Sequence, residues 1–283
     1  IRETYFANNV RFQMLINARS GRCREDCGYC SQSKVSKADS PSYPLQPDNV
    51  IIEGAARARQ ANASRYCIAT SGRCPTDKDV DRLCGVVQRI HEQEPIPVCC
   101  SVGMVTEEQA SRLRVAGVSW INHNLNASAR YHPQICSTHS YQDRVDTIQN
   151  IKRAGLHACS GGIVGFGEND EDLVDIALAF RSLQVDAIPV NFYHPVTGTP
   201  LAGNENLTKS RCLKALALFR LLNPTKSIRL AAGRERHLGK DQPLALRVAD
   251  CLFVNGYLTT PGDSAEDTLR MIESNGFKLE VVR

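Results

Sequence analysis

Three cysteines, Cys23, Cys27 and Cys30, fall within a short stretch of the chain, separated by three residues and then by two, in a loop held by Gly21 and Gly28. Thiolates converging from so short a loop can hold an iron-sulfur cluster. A 4Fe-4S cube has four irons, so three cysteines leave one iron without a protein ligand. A small molecule carrying both an amine and a carboxylate can chelate that iron. Two other chemistries use thiols at this spacing, a disulfide and a zinc site. Closed structural zinc needs a fourth ligand, usually in a second pair of cysteines or histidines, and none lies near this loop in the sequence.

A loop of this kind needs a scaffold, and length and composition bound what that scaffold can be. The 283 residues suit one (β/α)8 barrel, typically about 250 residues, as well as they would two smaller domains. Hydrophobic residues at 42% and charged residues at 23% describe an ordinary soluble globular chain. No apolar run approaches the roughly 18 residues of a membrane span, so no membrane association is expected. The net charge of +4 is spread in small groups such as Lys34 with Lys37 and Arg234 with Arg236. Without a block of like charge, no nucleic-acid partner is expected. Twelve cysteines are too irregularly spaced for a disulfide framework, and the residues from Ile1 onward do not read as a secretory signal. A reducing, cytoplasmic location follows as the expectation.

Short apolar runs alternate with amphipathic stretches along the whole chain. The expected strands are Phe12–Ile16, Arg65–Ala69, Ile96–Ser101, Ser119–Asn122, Leu156–Ser160, Ala187–Asn191, Ser227–Leu230 and Cys251–Val254. Expected helices are Asp48–Asn62, Asp77–Glu92, Thr106–Ala116, Tyr141–Ala154, Asn169–Leu183, Thr208–Leu222, Gln242–Val248 and Ser264–Ser274. Thr106 with Gln109 reads as a capping box, and Gly117 and Gly155 as helix stops. Eight βα units predict an α/β fold, a single (β/α)8 TIM barrel over residues 1–283, with Ser31–Pro47 as an ordered loop. The few residues before the first strand argue against an N-terminal helix closing the barrel bottom.

Barrel chemistry gathers at the C-terminal ends of the strands. There the sequence offers Cys67, Ala69 and Thr70, then Cys99 and Cys100, then Asn122 to Asn126, Cys159, Asn191, Arg229, and Thr259 with Thr260. A lone strand cysteine is most often a small buried hydrophobe. Three of them with an arginine, Cys67, Cys99, Cys159 and Arg229, suggest a shared site instead. His123 beside the asparagines reads as structural more readily than catalytic.

The cysteine spacing, with Tyr29 before the last thiol, resembles the signature of the radical S-adenosylmethionine enzymes, and nearly the whole chain is similar to the biotin synthase family. The resemblance rests on Asn17-Ala18-Arg19-Ser20-Gly21, Tyr66-Cys67, Asn122-His123-Asn124-Leu125, Cys159 through Gly165, Ile188 through Phe192, Gly198-Thr199-Pro200-Leu201, Arg229 through Glu235, and Tyr257-Leu258-Thr259-Thr260. It implies a radical SAM TIM barrel with a 4Fe-4S cluster on Cys23, Cys27 and Cys30. S-adenosylmethionine would contact Tyr29, Ala69, Asn124, Asn126, Arg144 and Ile163. The run Gly161-x-Ile163-x-Gly165-x-x-Glu168 is similar to the family's adenosine-binding motif, although as a pattern alone it reads equally as a turn. A 2Fe-2S cluster is implied on Cys67, Cys99, Cys159 and Arg229, and a dethiobiotin site on Asn124, Asn191, Thr259 and Thr260.

No side chain is implied as a general acid or base. The implied reaction is reductive cleavage of S-adenosylmethionine to a 5'-deoxyadenosyl radical, hydrogen abstraction from dethiobiotin, and transfer of sulfur from the auxiliary cluster. The implied partners are an electron donor such as flavodoxin or ferredoxin and a second copy in a homodimer. The chain departs from the family pattern at Arg24, where a proline is usual, at Asn126, where many members carry aspartate, and at Asp250-Cys251, where Asn-Ser is usual; Cys74 and Cys100 are extra. Two other readings use the same residues: a radical S-adenosylmethionine enzyme with another substrate, and an iron-sulfur carrier or sensor without catalysis.

Overall fold

Strands and helices alternate as the periodicity requires, and the computed structural model describes residues 1–21 and 23–281. In chain order the elements are α1 (Arg2–Phe6), β1 (Asn9–Arg19), α2 (Asp48–Gln60), β2 (Ala63–Thr70), α3 (Asp77–Gln93), β3 (Val98–Ser101), α4 (Glu107–Val115), β4 (Val118–Asn122), α5 (His132–Ile135), α6 (Tyr141–Arg153), β5 (His157–Cys159) and β6 (Gly162–Val164). They continue with α7 (Asp170–Ser182), β7 (Ala187–Phe192), α8 (Lys209–Leu222), β8 (Ser227–Leu230), α9 (Arg234–Leu238), α10 (Gln242–Leu246), β9 (Cys251–Phe253), α11 (Ala265–Ser274) and β10 (Lys278–Leu279). Parallel pairing runs from β1 through β9, and β9 pairs back onto β1, which closes the barrel. β5 and β6 share one of the eight strand positions, both pairing with β7.

Alternation along each strand divides side chains between the barrel interior and the helix layer. On β2, Tyr66 and Ile68 belong to the outer apolar core, whereas Arg65, Cys67 and Ala69 take the opposite face. Tyr66 donates its hydroxyl proton to Ile51 O at 2.9 Å and so anchors α2. Capping boxes at Thr76, Thr106, Ser140 and Asn169 start α3, α4, α6 and α7 directly after their loops.

Three features differ from the sequence reading. The fifth strand is broken at Ser160-Gly161, because a Cβ on Gly161 would lie 1.7 Å from Pro189 O; only glycine lets the chain pass β7 so closely. β1 is longer than expected, since its first residues pair with β10 and with β9 as well as leading into β2. A short N-terminal helix does form: Arg2 is buried, donates from Nε to Ala249 O at 3.3 Å, and lies over the Phe277 ring at 5.0 Å.

The end of the barrel away from the site is tied by Asp250. Its Oδ1 accepts from Arg220 Nη2 at 2.7 Å and from Ile228 N at 2.8 Å, and its Oδ2 accepts from Arg11 Nη2 and Ser227 Oγ, both at 2.7 Å. Asp250→Ala would strand the buried Arg220 guanidinium, and breaking such a pair from one side costs about 3 to 5 kcal/mol. Urea unfolding of the variant should show a loss of that size; a loss below about 1 kcal/mol would mean that Asp250 is not the tie it resembles.

Candidate active site

The cysteine loop leaves β1 at Gly21, whose φ of +68° suits glycine, and a Cβ there would lie 2.7 Å from Ser42 Oγ. Gln32 Oε1 accepts from Gly21 N at 2.9 Å, Gly28 N donates to Ile135 O at 2.8 Å, and Leu201 N donates to Gly28 O at 3.2 Å. The loop is therefore fixed to the segments that follow β4 and β7. The 31–47 segment is ordered, as expected, and returns along β1 through the Ser20–Tyr43 bridge.

Cys23, Cys27 and Cys30 line one cavity of about 210 Å³ with Tyr29, Asn124, Asn126 and Arg144. Asn126 has a φ of +66°, exchanges backbone bonds with Gly161 and Ile163, and donates from Nδ2 to Tyr29 Oη at 2.5 Å. Asn124 Oδ1 accepts from Gly161 N at 3.0 Å, and its carbonyl accepts from Arg144 Nη1 at 2.7 Å. The glycine at 161 that breaks the fifth strand thus also sets both asparagines. Glu168 closes the turn after Ile163, its carboxylate accepting from Gly165 N at 2.9 Å and Phe166 N at 3.0 Å. His123 lies on the same cavity wall, donating from Nδ1 to Gly103 O at 3.1 Å. Burial and the charge of Arg144 hold its pKa down to about 3, so the ring is neutral at physiological pH.

A second cavity of about 250 Å³ is lined by Ala69, Ile163, Asn191, Thr259 and Thr260, and also by Cys67. Tyr29, Cys30 and Asn124 line both cavities, so the two share a wall. Asn191 Oδ1 accepts from Ala232 N at 3.3 Å, and Thr259 Oγ1 sits 3.2 Å from Ser31 Oγ, linking the last loop to the cysteine loop.

Inside the barrel Cys67 and Cys99 stand opposite each other in register, and Cys159 Sγ accepts from Arg229 Nη1 at 3.5 Å. Arg229 Nε and Nη2 and Arg65 Nε and Nη1 have no hydrogen-bond partner despite burial. Burial pushes the Cys159 thiol up while Arg229 pulls it down; the Cys67 contact and burial push Cys99 up. Burial would likewise lower the Arg229 pKa, but Cys159, Cys251 and Cys99 outweigh it and raise it. The guanidinium therefore meets the sulfurs as a cation. Thiols facing unpaired buried cations are a donor set that suits an anionic iron-sulfur cluster, which would satisfy both. Cys100 instead packs in the outer core, and Cys74 is exposed.

Several residues of this region escaped the sequence reading. Arg65, two positions before Cys67 and hence on its face of β2, lies with Cζ 3.5 Å over the Trp120 ring. Burial and Arg229 draw its pKa down to about 10. The period of two along the strand was the signal. Cys251 pairs with Arg229 across β8 and β9 and so joins the interior thiols. Cys136 and His139 come within contact of Cys27 across more than a hundred residues; only their own spacing hinted at a pair of metal ligands.

Known proteins bear on this geometry. The model of the Radical SAM superfamily matches residues 18–180, and that of the Biotin and Thiamin Synthesis associated domain matches residues 189–278. Strands from both matched segments lie in the same barrel. Biotin synthase of Geobacillus kaustophilus (strain HTA426) is 47% identical over 280 residues, covering 99% of this chain and 84% of the relative. Biotin synthase of Halalkalibacterium halodurans is 46% identical over 282 residues, covering 100% and 85%. Among solved structures, methylornithine synthase (PylB) superposes with a TM-score of 0.83 at 20% identity, over 99% of this chain and 86% of that one. The FeFe-hydrogenase maturase HydG from Carboxydothermus hydrogenoformans superposes at 0.85 with 14% identity, over 100% and 70%. At such identities the superpositions speak for the fold alone. Identity near one residue in two along the full chain speaks for more, and on it this chain belongs to the biotin synthase family of radical SAM enzymes.

Proposed function

We propose that this chain converts dethiobiotin to biotin by radical sulfur insertion. Cys23, Cys27 and Cys30 would hold a 4Fe-4S cluster, with S-adenosylmethionine against Tyr29, Ala69, Asn124, Asn126, Arg144 and Ile163. Cys67, Cys99 and Cys159, with Arg229, would hold an auxiliary cluster of the 2Fe-2S type. The observation that carries the reading is that Cys30 and Cys67, one from each thiol group, border the same cavity. When bound, these cofactors supply an electron, a carbon radical able to open an unactivated C–H bond, and a sulfide, none of which a side chain can provide.

What the residues themselves do is hold and position. Tyr29 stacks on Phe166 with ring centroids 5.9 Å apart, and Phe166 on Tyr131 at 5.6 Å, an aromatic stack that holds Tyr29 of the cysteine loop in place. Arg144 fixes the Asn124 carbonyl, leaving that side chain aimed between the two cavities. Arg229 offers a fixed positive charge to the interior sulfurs, which favours their deprotonated form. Asn191, Thr259 and Thr260 present an amide and two hydroxyls to the larger cavity, groups suited to a ureido ring and a carboxylate.

Asn191→Ala should weaken dethiobiotin binding by about 1 to 3 kcal/mol, the cost of a lost buried hydrogen bond, without altering the optical change caused by S-adenosylmethionine. Unchanged dethiobiotin affinity would remove Asn191 from the site. The reading extends to flavodoxin or ferredoxin as electron donor, to a homodimer, and to the cytoplasm, where twelve unpaired thiols suit reducing surroundings. Among the described residues no helix is long and apolar enough to cross a membrane. The reaction is tested with deuterated dethiobiotin: deuterium should appear in the 5'-deoxyadenosine released by the reconstituted protein. Product free of deuterium would mean that dethiobiotin is not the hydrogen donor.

A further inference from the structure

Cys27 has a neighbour that the cluster reading does not use. Its Sγ lies 3.7 Å from Cys136 Sγ, and Cys136 Sγ lies 3.2 Å from His139 Nδ1. All three side chains are buried, and their donor atoms fall within 4.8 Å of one another. The Glu25 carboxylate stands behind the imidazole: Oε2 is hydrogen-bonded to His139 Nδ1 and accepts from Thr138 Oγ1 at 2.8 Å, outside the three-residue donor group. Glu25 and His139 side chains are only 7% and 2% exposed. Asp26 Oδ1 lies 3.1 Å from Cys136 Sγ, but the carboxylate also accepts from Ser137 N at 2.9 Å, Thr138 N at 3.2 Å and the Ser137 hydroxyl, and it stands outside the donor group.

We infer that, in the protein without its iron-sulfur cluster, Cys27, Cys136 and His139 form a binding site for one zinc-like divalent ion, with the fourth position left to water. The donor set is right, with two thiols and one imidazole. So is the spacing: at Zn–S of about 2.3 Å, tetrahedral angles hold two thiolates about 3.8 Å apart, and a thiolate and an imidazole nitrogen about 3.6 Å apart. The observed 3.7 Å and 3.2 Å need little adjustment. In the absence of an ion the thiols carry their protons, Cys27 donating to Cys136 Sγ and Cys136 Sγ to Asp26 Oδ1. Binding would release them to solvent, with no change of oxidation state, as zinc binding to thiols and imidazole requires. His139 Nε2, buried and without a partner, is left as the ring's remaining protonation site.

The inference rests on the proposed function only in that Cys27 serves both sites, which makes zinc and cluster assembly exclusive. The ion-binding test is independent of sulfur insertion. Anaerobic, reduced apoprotein is titrated with Co²⁺, and the tetrahedral d–d and sulfur-to-metal charge-transfer bands are followed, with Zn²⁺ used to displace the cobalt. One equivalent should bind. Cys136→Ser should weaken binding at least tenfold, and Cys23→Ser should leave it within about twofold, because Cys23 is not in the donor set. Cys136→Ala serves as a second variant, with circular dichroism confirming that each is folded. Equal cobalt affinity in the parent and both Cys136 variants, loss of binding in Cys23→Ser, or no binding by the parent would each overturn the site. A further consequence is that zinc-loaded parent should take up the 4Fe-4S chromophore more slowly than zinc-treated Cys136→Ser, and equal rates would contradict the shared use of Cys27.

Discussion

Cys30→Ala should abolish reductive cleavage of S-adenosylmethionine while leaving the barrel folded. Cys30 belongs to the loop triad and lines both cavities, but it stands outside the apolar core that the helices build. On the proposed assignment its loss removes a cluster ligand, while for packing it costs only a partly buried thiol beside the small apolar cluster around Phe166. The loop keeps its ties to Ile135 and Leu201 through backbone atoms of Gly28, which the substitution does not touch. Two thiolates from the loop leave a second iron without a protein ligand, and a cluster so held is labile. The 5'-deoxyadenosine yield of the anaerobically reconstituted variant should fall by more than about a thousandfold, some 4 kcal/mol of barrier. Parental yield would show that the triad is not the ligand set.

Cys159→Ala should separate the two thiol groups functionally. Cys159 is fully buried inside the barrel and contacts Arg229, with no part in the cavity that Cys23, Cys27 and Cys30 line. The variant should still form 5'-deoxyadenosine, because the loop and its asparagines are intact, but biotin formation should drop by roughly a hundredfold or more, about 3 kcal/mol. Iron content should fall with it, as the proposed interior cluster would lose a thiolate. A variant that lost 5'-deoxyadenosine and biotin in parallel would mean that the interior thiols support the fold or the first cluster and hold no second one.

Local signals made much of the scaffold legible. All eight expected strands have counterparts in the barrel, since each was a short apolar run between turn residues, and the box at Thr106 was visible as Thr-x-x-Gln. The break at Ser160-Gly161 was not visible, because its cause is the Pro189 carbonyl on the next strand. Helix α1 was missed for a related reason. Five residues carry too little periodicity to announce a helix, and what holds this one is Arg2 against Ala249, at the far end of the chain. Within the candidate site, residues drawn from several strand ends line shared cavities because barrel geometry brings strand ends to one face. Arg65 was overlooked because a lone arginine ordinarily reads as surface, yet its two-residue offset from Cys67 puts it inside. The Cys27–Cys136 contact joins loops more than a hundred residues apart, and nothing local to either loop encodes it.

On the proposed function, the loop thiols Cys23, Cys27 and Cys30 and the interior thiols Cys67, Cys99 and Cys159, which meet at one cavity through Cys30 and Cys67, insert sulfur into dethiobiotin. The most direct test of that function is to reconstitute the protein anaerobically with iron and sulfide, add S-adenosylmethionine, dethiobiotin and reduced flavodoxin, and measure biotin by mass. The account predicts biotin in an amount tied to the auxiliary cluster present, with its sulfur carrying the isotope of the sulfide used in reconstitution. Abundant 5'-deoxyadenosine without any biotin, or biotin whose sulfur lacks that isotope, would contradict it.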